Sequence, residues 1–362
     1  MRLRDMPRTL LPFLALLLWA ASASGWGFEE VIPAQLKSIE RGTKWLLSAQ
    51  NKDGSWGMDI RDSANIACTA TAGMALLAAG NTEKNGPSAE CVAAVRKAVD
   101  YLLKRMQRVK RGTGIDDGEQ SEFHTYVGAR SQSMYAVIFL SQIYGMQSLQ
   151  LDETRNEQVR RAVELLSDTL AKCQESDGSW YKDTYSSLQA TALGWMALRS
   201  SASTGVAIHG AAVDRTLKFI RKQYNPSNNL YDGGNGERGN PIYASASAIR
   251  VLYGMGEGQT REVHDAVTKL VKGIAGGEWQ QGFLTNVGED YPAALMLTHA
   301  LIHENGENWQ KWFTFVRGRL TKTQNADGSW TATSCLRGRT FVTACALLCL
   351  ETPLRLLPLE DL

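Results

Sequence analysis

The sequence predicts an all-α fold in which six helical hairpins close into a ring, an (α/α)6 toroid. A seven-residue pattern, Gln-x-x-Asp-Gly-Ser-Trp, occurs three times in the 362 residues, which indicates an internal repeat. Each copy lies between two helical patterns. The first is amphipathic and charged, as on an outer ring, and the second is apolar nearly all round, so it must be buried as an inner ring.

Six such pairs account for the chain after residue 25, and we assign residues 26–362 to one toroid domain. A closed ring is favoured over an open solenoid, because a solenoid would leave the apolar inner helices at its two ends without a partner. The predicted pairs are 39–50 with 65–79, 92–107 with 132–144, 160–174 with 185–199, 213–223 with 243–253, 263–272 with 291–302, and 309–324 with 341–350.

The repeated turn has a structural explanation. Asp-Gly forms a tight turn in which glycine adopts a conformation that a Cβ disfavours. We expect the Gln amide to bond free backbone groups at a neighbouring helix end, and the Trp to seal the gap between hairpins. The Asp of each copy is therefore interpreted as a turn former. The structural residues are Gln50 and Trp56, Gln174 and Trp180, and Gln324 and Trp330.

Residues 1–25 have the pattern of a secretory signal peptide. Arg2, Arg4 and Arg8 precede the apolar run 10–21, and Ala-Ser-Ala at 21–23 fits a cleavage site. The run is shorter than the ~20 residues that span a bilayer, so we expect cleavage and export to the periplasm or the exterior. No later segment is apolar enough to cross a membrane.

Charge and cysteine content exclude several partners. Removal of residues 1–25 leaves 36 Lys+Arg and 36 Asp+Glu, and this balance argues against nucleic-acid binding. The six cysteines include no Cys-x-x-Cys pair, so the usual zinc and redox spacings are missing. Most of them occur in Ala/Leu-rich helical stretches and are interpreted as small buried hydrophobes. We expect neither a metal nor another cofactor.

The stretch 41–56, RGTKWLLSAQNKDGSW, matches every element of the QW motif of squalene–hopene and oxidosqualene cyclases. The chain thus resembles the prenyltransferase/squalene-cyclase repeat superfamily, whose domains are (α/α)6 toroids. That superfamily also contains protein prenyltransferase β subunits and, more distantly, thioester domains. The motif is specific for the fold and says little about the chemistry.

The catalytic signatures of these relatives are missing from the sequence. The cyclase acid motif Asp-x-Asp-Asp-Thr-Ala keeps only its Thr-Ala, at 69–70, 191–192 and 343–344, and the chain has length for one helical domain where cyclases use two. No Asp-x-Cys zinc pair of the prenyltransferase type occurs, although the segment around His124 faintly resembles that family's His segment. The thioester motif keeps only Gly-Glu-Gln at 118–120, without its cysteine.

Loops that enter the inner helices surround the opening of the ring, where we expect any site to lie. The candidate acids are Asp183 and Asp290, although a carboxylate directly before a helix also suits a capping role. The candidate binding residues are His124, Tyr126, Tyr185, Tyr243, Tyr291, Arg337 and Arg339, and Asp62, Arg130 and Glu289 belong to the same mouth.

Three functions remain open at this point. The first hypothesis is a non-catalytic protein that binds an isoprenoid or other apolar ligand, or a protein partner, at the central cavity. The second is a divergent enzyme, of terpene-cyclase type or acting on glycans, that uses carboxylates at the mouth. The third is an interaction scaffold with a filled core. Two carboxylates that converge among aromatic residues would favour the second.

Overall fold

The computed structural model describes residues 31–107, 114–115, 121–147, 153–180, 187–207, 209–232, 240–279, 282–304, 306–354 and 356–357. The predicted signal peptide lies outside these residues. Within them no helix is long and apolar enough to cross a membrane.

In the part of the chain that the structure describes, twelve long helices alternate between an outer and an inner position. The outer helices are α1 (Pro33–Ala49), α3 (Ala89–Met106), α6 (Glu153–Lys172), α8 (Gly210–Arg221), α10 (Arg261–Ile274) and α12 (Glu307–Thr323). The inner helices are α2 (Ile66–Ala78), α5 (Ser131–Gln147), α7 (Ser187–Ser203), α9 (Pro241–Gly254), α11 (Asp290–Leu301) and α13 (Arg339–Glu351).

The inner helices form a closed ring. In the order α2, α5, α7, α9, α11 and α13 each packs against the next, and α13 packs against α2. The outer helices surround them, and α2 is buried along its whole length, as a helix that is apolar on every side must be. The predicted (α/α)6 toroid is therefore confirmed.

Several features differ from the sequence prediction. Helix α1 begins at Pro33, six residues before the predicted start, because proline is well suited to the first turn of a helix. A short helix α4 (Glu122–Tyr126) precedes α5, and a small antiparallel hairpin joins β1 (Tyr224–Asn225) to β2 (Leu230–Tyr231). A 3-10 turn (Thr352–Leu354) follows α13.

A buried hydroxyl fixes the rotation of five inner helices. Each hydroxyl accepts a backbone N–H from the segment before its helix and therefore faces the outer ring. Because an α-helix turns about 100° per residue, the residues two positions before and after the hydroxyl lie on the opposite side and point towards the ring axis. The donor and acceptor pairs are Trp56 to Thr69 (2.9 Å), Ile115 to Ser133 (3.0 Å), Trp180 to Thr191 (3.0 Å), Tyr231 to Ser245 (3.1 Å) and Trp330 to Thr343 (3.0 Å).

Each of the three copies of the repeated turn connects its own hairpin to the following one. Gln50 Nε2 donates to the carbonyl of Gly54 at 3.0 Å and to that of Ala94 in α3 at 2.9 Å. Gln174 and Gln324 make the same pair of bonds, the second of each to the following outer helix. These carbonyls lie within the first two turns of that helix. The Gln amides were expected to bond free groups at a helix end, and they instead bond carbonyls near the start of the neighbouring helix.

The indole N–H of each repeat Trp donates to an equivalent acceptor, a carbonyl in the last turn of the preceding outer helix. These carbonyls belong to groups that a helix leaves unpaired. The acceptors are Leu46 for Trp56 (2.8 Å), Leu170 for Trp180 (3.0 Å) and Leu320 for Trp330 (2.9 Å).

Six cysteines lie among the described residues, and none of them forms a disulfide. Cys68, Cys91, Cys345 and Cys349 are buried. The toroid of this chain is thus held together by packing and hydrogen bonds, in keeping with a core large enough to need no covalent cross-link.

Alanine at Gly178 is expected to destabilise the protein by on the order of 3 kcal/mol or more. Gly178 has φ +97°, and a Cβ there would lie 2.2 Å from the carbonyl oxygen of Arg215, a backbone atom that cannot move aside. Gly205 is the matched control, because its φ is +73° and no atom lies within 4 Å of its added Cβ. Gly205→Ala should cost only about 1 kcal/mol in urea unfolding. Equal losses at both sites would contradict the close approach.

Candidate functional site

Two consecutive carboxylic acids, Glu289 and Asp290, begin the inner helix α11. Only 3% of Glu289 and 1% of Asp290 is exposed. The residue before them is pressed against the segment that leads into α13, since a Cβ on Gly288 would lie 2.0 Å from the carbonyl oxygen of Cys335. The Gly288 N–H donates to the carbonyl of Ser334 at 2.9 Å. The acidic pair is therefore enclosed between two loops of neighbouring hairpins.

The two acids have different hydrogen-bonding environments. Asp290 Oδ2 accepts the backbone N–H of Leu284 at 3.0 Å and so holds that residue at φ +60°, which is unusual for leucine. Glu289 Oε1 is buried and has no hydrogen-bond partner among the described residues. An unpaired buried carboxyl oxygen costs free energy, so its retention points to a role other than stability.

Both acids titrate near neutrality. Burial raises the pKa of Glu289 to about 7, and the charge of Asp290 adds to the effect. Burial also raises the pKa of Asp290 to about 7. The hydrogen bond from the Leu284 N–H opposes this rise, because it favours the ionised form of Asp290. Asp290 is the better placed of the two to carry the negative charge, and that charge keeps the proton on Glu289.

Aromatic side chains from several helices meet on the ring axis beside this pair. The Tyr135 hydroxyl donates to that of Tyr243, and this bond crosses the ring because α5 and α9 are not neighbours. Phe341 packs edge-to-face on Tyr135, with ring centroids 5.6 Å apart. Burial raises the pKa of Tyr243, and negative charge on Cys345 or Glu289 raises it further. Tyr243 lies near the start of α9, which packs against α11, so Glu289 lies at the same end of the ring as this cluster.

Helix α4 covers this end of the axis. Its Phe123 is buried and packs edge-to-face on Phe341 at 4.9 Å. Glu122 accepts the backbone N–H of Arg337 at 2.9 Å and pairs with the Arg337 guanidinium at 2.9 Å. We define residues 122–126 together with residues 334–337 as the mouth cover.

The cover is held by a second contact and contains strained backbone. The Tyr126 hydroxyl donates to the sulfur of Cys335. Cys335 and Leu336 have φ values of +35° and +47°, in the region that glycine favours. His124 lies in the same short helix and is partly exposed. The strain and the exposed ion pair indicate that this segment is the less stable wall of the site.

The structure brings together some of the predicted site residues and separates others. Tyr243 is buried in the axial cluster, and Asp290 and Tyr291 are buried at the head of α11. His124, Tyr126 and Arg337 belong to the mouth cover. The predicted candidates Asp183 and Tyr185 lie outside the described residues.

Arg339 occupies a different place from the one expected of a mouth residue. Its guanidinium pairs with Asp327 and donates to Ser329 Oγ at 2.9 Å, both in the third repeated turn. It also lies over the Trp45 ring, 5.0 Å from the centroid. These contacts put Arg339 at the junction of the first and sixth hairpins, where it supports the turn.

Tyr135, Gln189 and Ser247 were not predicted from the sequence, and Glu289 was predicted only as a mouth residue. The available signal was register: Tyr135, Gln189 and Ser247 each lie two positions from a hydroxyl that faces the outer ring. No group of three His, Cys, Asp or Glu side chains suited to a metal ion occurs in the part of the chain that the structure describes.

The raised pKa of Glu289 predicts a pH-dependent stability. The folded state binds this proton more tightly than the unfolded state, so the contribution is complete below about pH 4.5 and is lost as the pH rises through about 7. Glu289→Gln should leave the free energy of unfolding nearly unchanged at pH 4.5 and raise it by about 3 kcal/mol at pH 8.5. Urea unfolding at both pH values tests this, and a constant difference between the proteins would contradict it.

Comparison with the solved structure of a mannanase supports the fold. No family model and no curated protein sequence matches the chain. An inactive variant of the α-1,6-mannanase GH76A of Salegentibacter sp. HEL1_6, solved with α-1,6-mannotriose, is similar in structure with a TM-score of 0.58 and 11% identity. The match covers 88% of this chain and 99% of the mannanase. The type II terpene cyclase MstE from Scytonema aligns over 90% of this chain at 16% identity, with a TM-score of 0.38.

Proposed function

We propose that this chain is an exported enzyme that cleaves a glycosidic bond with Glu289 as the proton donor and Asp290 as the ionised carboxylate. One observation carries the proposal: two consecutive acids with pKa values of about 7 are buried at the head of an inner helix, beside axial aromatic rings. Enzymes divide acid and base roles between two carboxyls whose environments separate their protonation states.

The reaction balances without a cofactor. The glycosidic C–O bond breaks as Glu289 gives its proton to the leaving oxygen, and the Asp290 carboxylate stabilises the positive charge that develops at the anomeric carbon. Water then adds to that carbon and returns a proton to Glu289. The aromatic rings provide faces on which sugar C–H groups stack.

A sugar suits the acidic pair better than a purely apolar ligand does. A hydrocarbon beside Glu289 would leave its unpaired carboxyl oxygen without any partner, at a cost of about 1–3 kcal/mol. A sugar supplies hydroxyl groups that satisfy it. An isoprenoid ligand is the alternative outcome, and the axial tyrosines are the feature that would favour it, since aromatic faces stabilise a carbocation.

The mannanase supplies the first substrate to test. Its inactive variant carries replacements at two consecutive aspartates, and this chain has consecutive carboxylates at the head of α11. The fold likeness alone does not transfer the substrate. We propose α-1,6-linked mannan as the starting point and α-glucan, β-glucan and chitin oligosaccharides as the next.

A substrate must gain access to two acids that the fold encloses. Because Glu289 and Asp290 are almost fully buried, we propose that the mouth cover moves away when a glycan binds. The ion pair between Glu122 and Arg337 is exposed on the arginine side, 66% in its side chain, and such pairs contribute little to stability.

The test is turnover by the full chain expressed with export. Purified protein is incubated with each glycan from pH 5 to 9, and products are identified by mass spectrometry and reducing-end assay. We expect cleavage of one glycan class with a rate maximum near pH 7. Absence of cleavage together with an isoprenoid lipid that co-purifies would overturn the proposal in favour of lipid binding.

A further inference from the structure

Two buried polar side chains on the ring axis have no hydrogen-bond partner within the described ranges. Both amide atoms of Gln189 and the hydroxyl of Ser247 make no hydrogen bond with the described residues, although Gln189 is 1% exposed and Ser247 is fully buried. Such groups are uncommon in native proteins, because each costs about 1–3 kcal/mol when desolvated.

Helix register directs both side chains towards the axis. Thr191 on α7 and Ser245 on α9 face the outer ring, because they bond the backbone of Trp180 and Tyr231 there. Gln189 precedes Thr191 by two residues and Ser247 follows Ser245 by two, so both lie on the opposite side of their helices.

The two groups lie on neighbouring helices around Tyr243. Helices α7 and α9 pack against each other, and Tyr243 lies one turn before Ser247 on the same face. Tyr243 lies near the start of α9, and the acidic pair lies at the start of α11, which packs against α9. Gln189 and Ser247 therefore flank a tyrosine at the same end of the ring as the acidic pair.

We propose that Gln189 and Ser247 form a subsite that binds the hydroxyl groups of a sugar ring on the toroid axis. A Gln amide donates and accepts, a Ser hydroxyl does the same, and neither carries charge, so together they complement a neutral polyhydroxylated ligand. A charged ligand would find no counter-charge in these two groups, and a hydrocarbon would leave both unpaired. The choice of a sugar rests on the proposed function, whereas the existence of a polar site does not.

The chain offers matched controls for both residues. Gln132 is also buried on an inner helix, but its amide accepts from the Ile66 N–H at 3.3 Å and donates to Ser121 Oγ at 3.2 Å. Ser245 is buried like Ser247 and both donates to and accepts from the Tyr231 backbone. Removing a satisfied group should lower Tm, whereas removing an unsatisfied one should raise it.

The experiment compares Gln189→Met and Ser247→Ala with Gln132→Met and Ser245→Ala. Tm is measured without ligand, and binding of α-1,6-mannotriose, cellotriose and chitotriose is measured by calorimetry. We expect Gln189→Met and Ser247→Ala to raise Tm and to weaken binding of the recognised trisaccharide at least ten-fold. The controls should lower Tm.

Three results would overturn the subsite: a fall in Tm for Gln189→Met and Ser247→Ala like that of the controls, unchanged trisaccharide affinity, or no binding of any trisaccharide to the native protein. Binding measured without turnover separates the two proposals. Sugar binding that depends on Gln189, with no cleavage of any glycan, would support the subsite and contradict the proposed enzyme activity. Cleavage that is insensitive to both substitutions would support the enzyme activity and contradict the subsite.

Discussion

Glu289→Gln is expected to lower turnover of the cleaved glycan by a factor of about 10² to 10⁴, the range that a positioned general acid contributes. Glutamine keeps the shape of the side chain and removes the proton. Because Glu289 titrates near pH 7, the native rate should fall on the alkaline side as this proton is lost, and the variant should lose that limb of the profile.

A substrate that needs no proton provides the diagnostic measurement. In a glycoside with a dinitrophenolate leaving group, that group departs without protonation. Glu289→Gln should therefore slow cleavage of such a glycoside far less than cleavage of the natural glycan. Glu122→Gln is the matched control at the mouth cover, where the side chain pairs with Arg337, and it should change turnover by only a few-fold. An equal loss with both leaving groups would contradict the role of Glu289 as an acid.

Trp330→Ala is expected to destabilise the toroid by about 3–5 kcal/mol, the usual cost of removing a buried aromatic side chain. Trp330 is fully buried and packs at the place where the ring closes, since a Cβ on Gly42 of α1 would lie 3.0 Å from its indole ring. In the same turn, Gln324 of the sixth hairpin donates to the carbonyl of Ser38 at 2.8 Å. Loss of the indole therefore removes one of the contacts that join the last hairpin to the first.

Urea unfolding followed by circular dichroism measures this effect. Trp279→Ala is the control, because Trp279 is partly exposed beneath Lys269, and it should cost about 1 kcal/mol or less. Trp330→Phe should fall between them, since a smaller aromatic ring remains while the bond to the Leu320 carbonyl and part of the buried indole packing are lost. Similar losses for Trp330→Ala and Trp279→Ala would show that ring closure does not depend on this residue.

The candidate site was only partly predictable. The mouth residues follow from the order of helices, and Asp290 and Tyr243 were named from it. The distinction between Glu289 and Asp290 was not accessible, because it depends on which carboxyl receives the Leu284 N–H and which stays unpaired. Arg339 begins the inner helix α13, yet its guanidinium pairs with Asp327 and lies over Trp45, at the repeated turn.

The sequence by itself determined the toroid, because the information for it is local. Three Gln-x-x-Asp-Gly-Ser-Trp turns and the contrast between charged and apolar helices occur within spans of a few tens of residues. Only the tertiary structure decided what lies on the axis, since Tyr135 and Tyr243 meet across the ring. Burial, unpaired polar atoms and the raised pKa of Glu289 arise from contacts between hairpins far apart in the chain, and helical periodicity does not encode them.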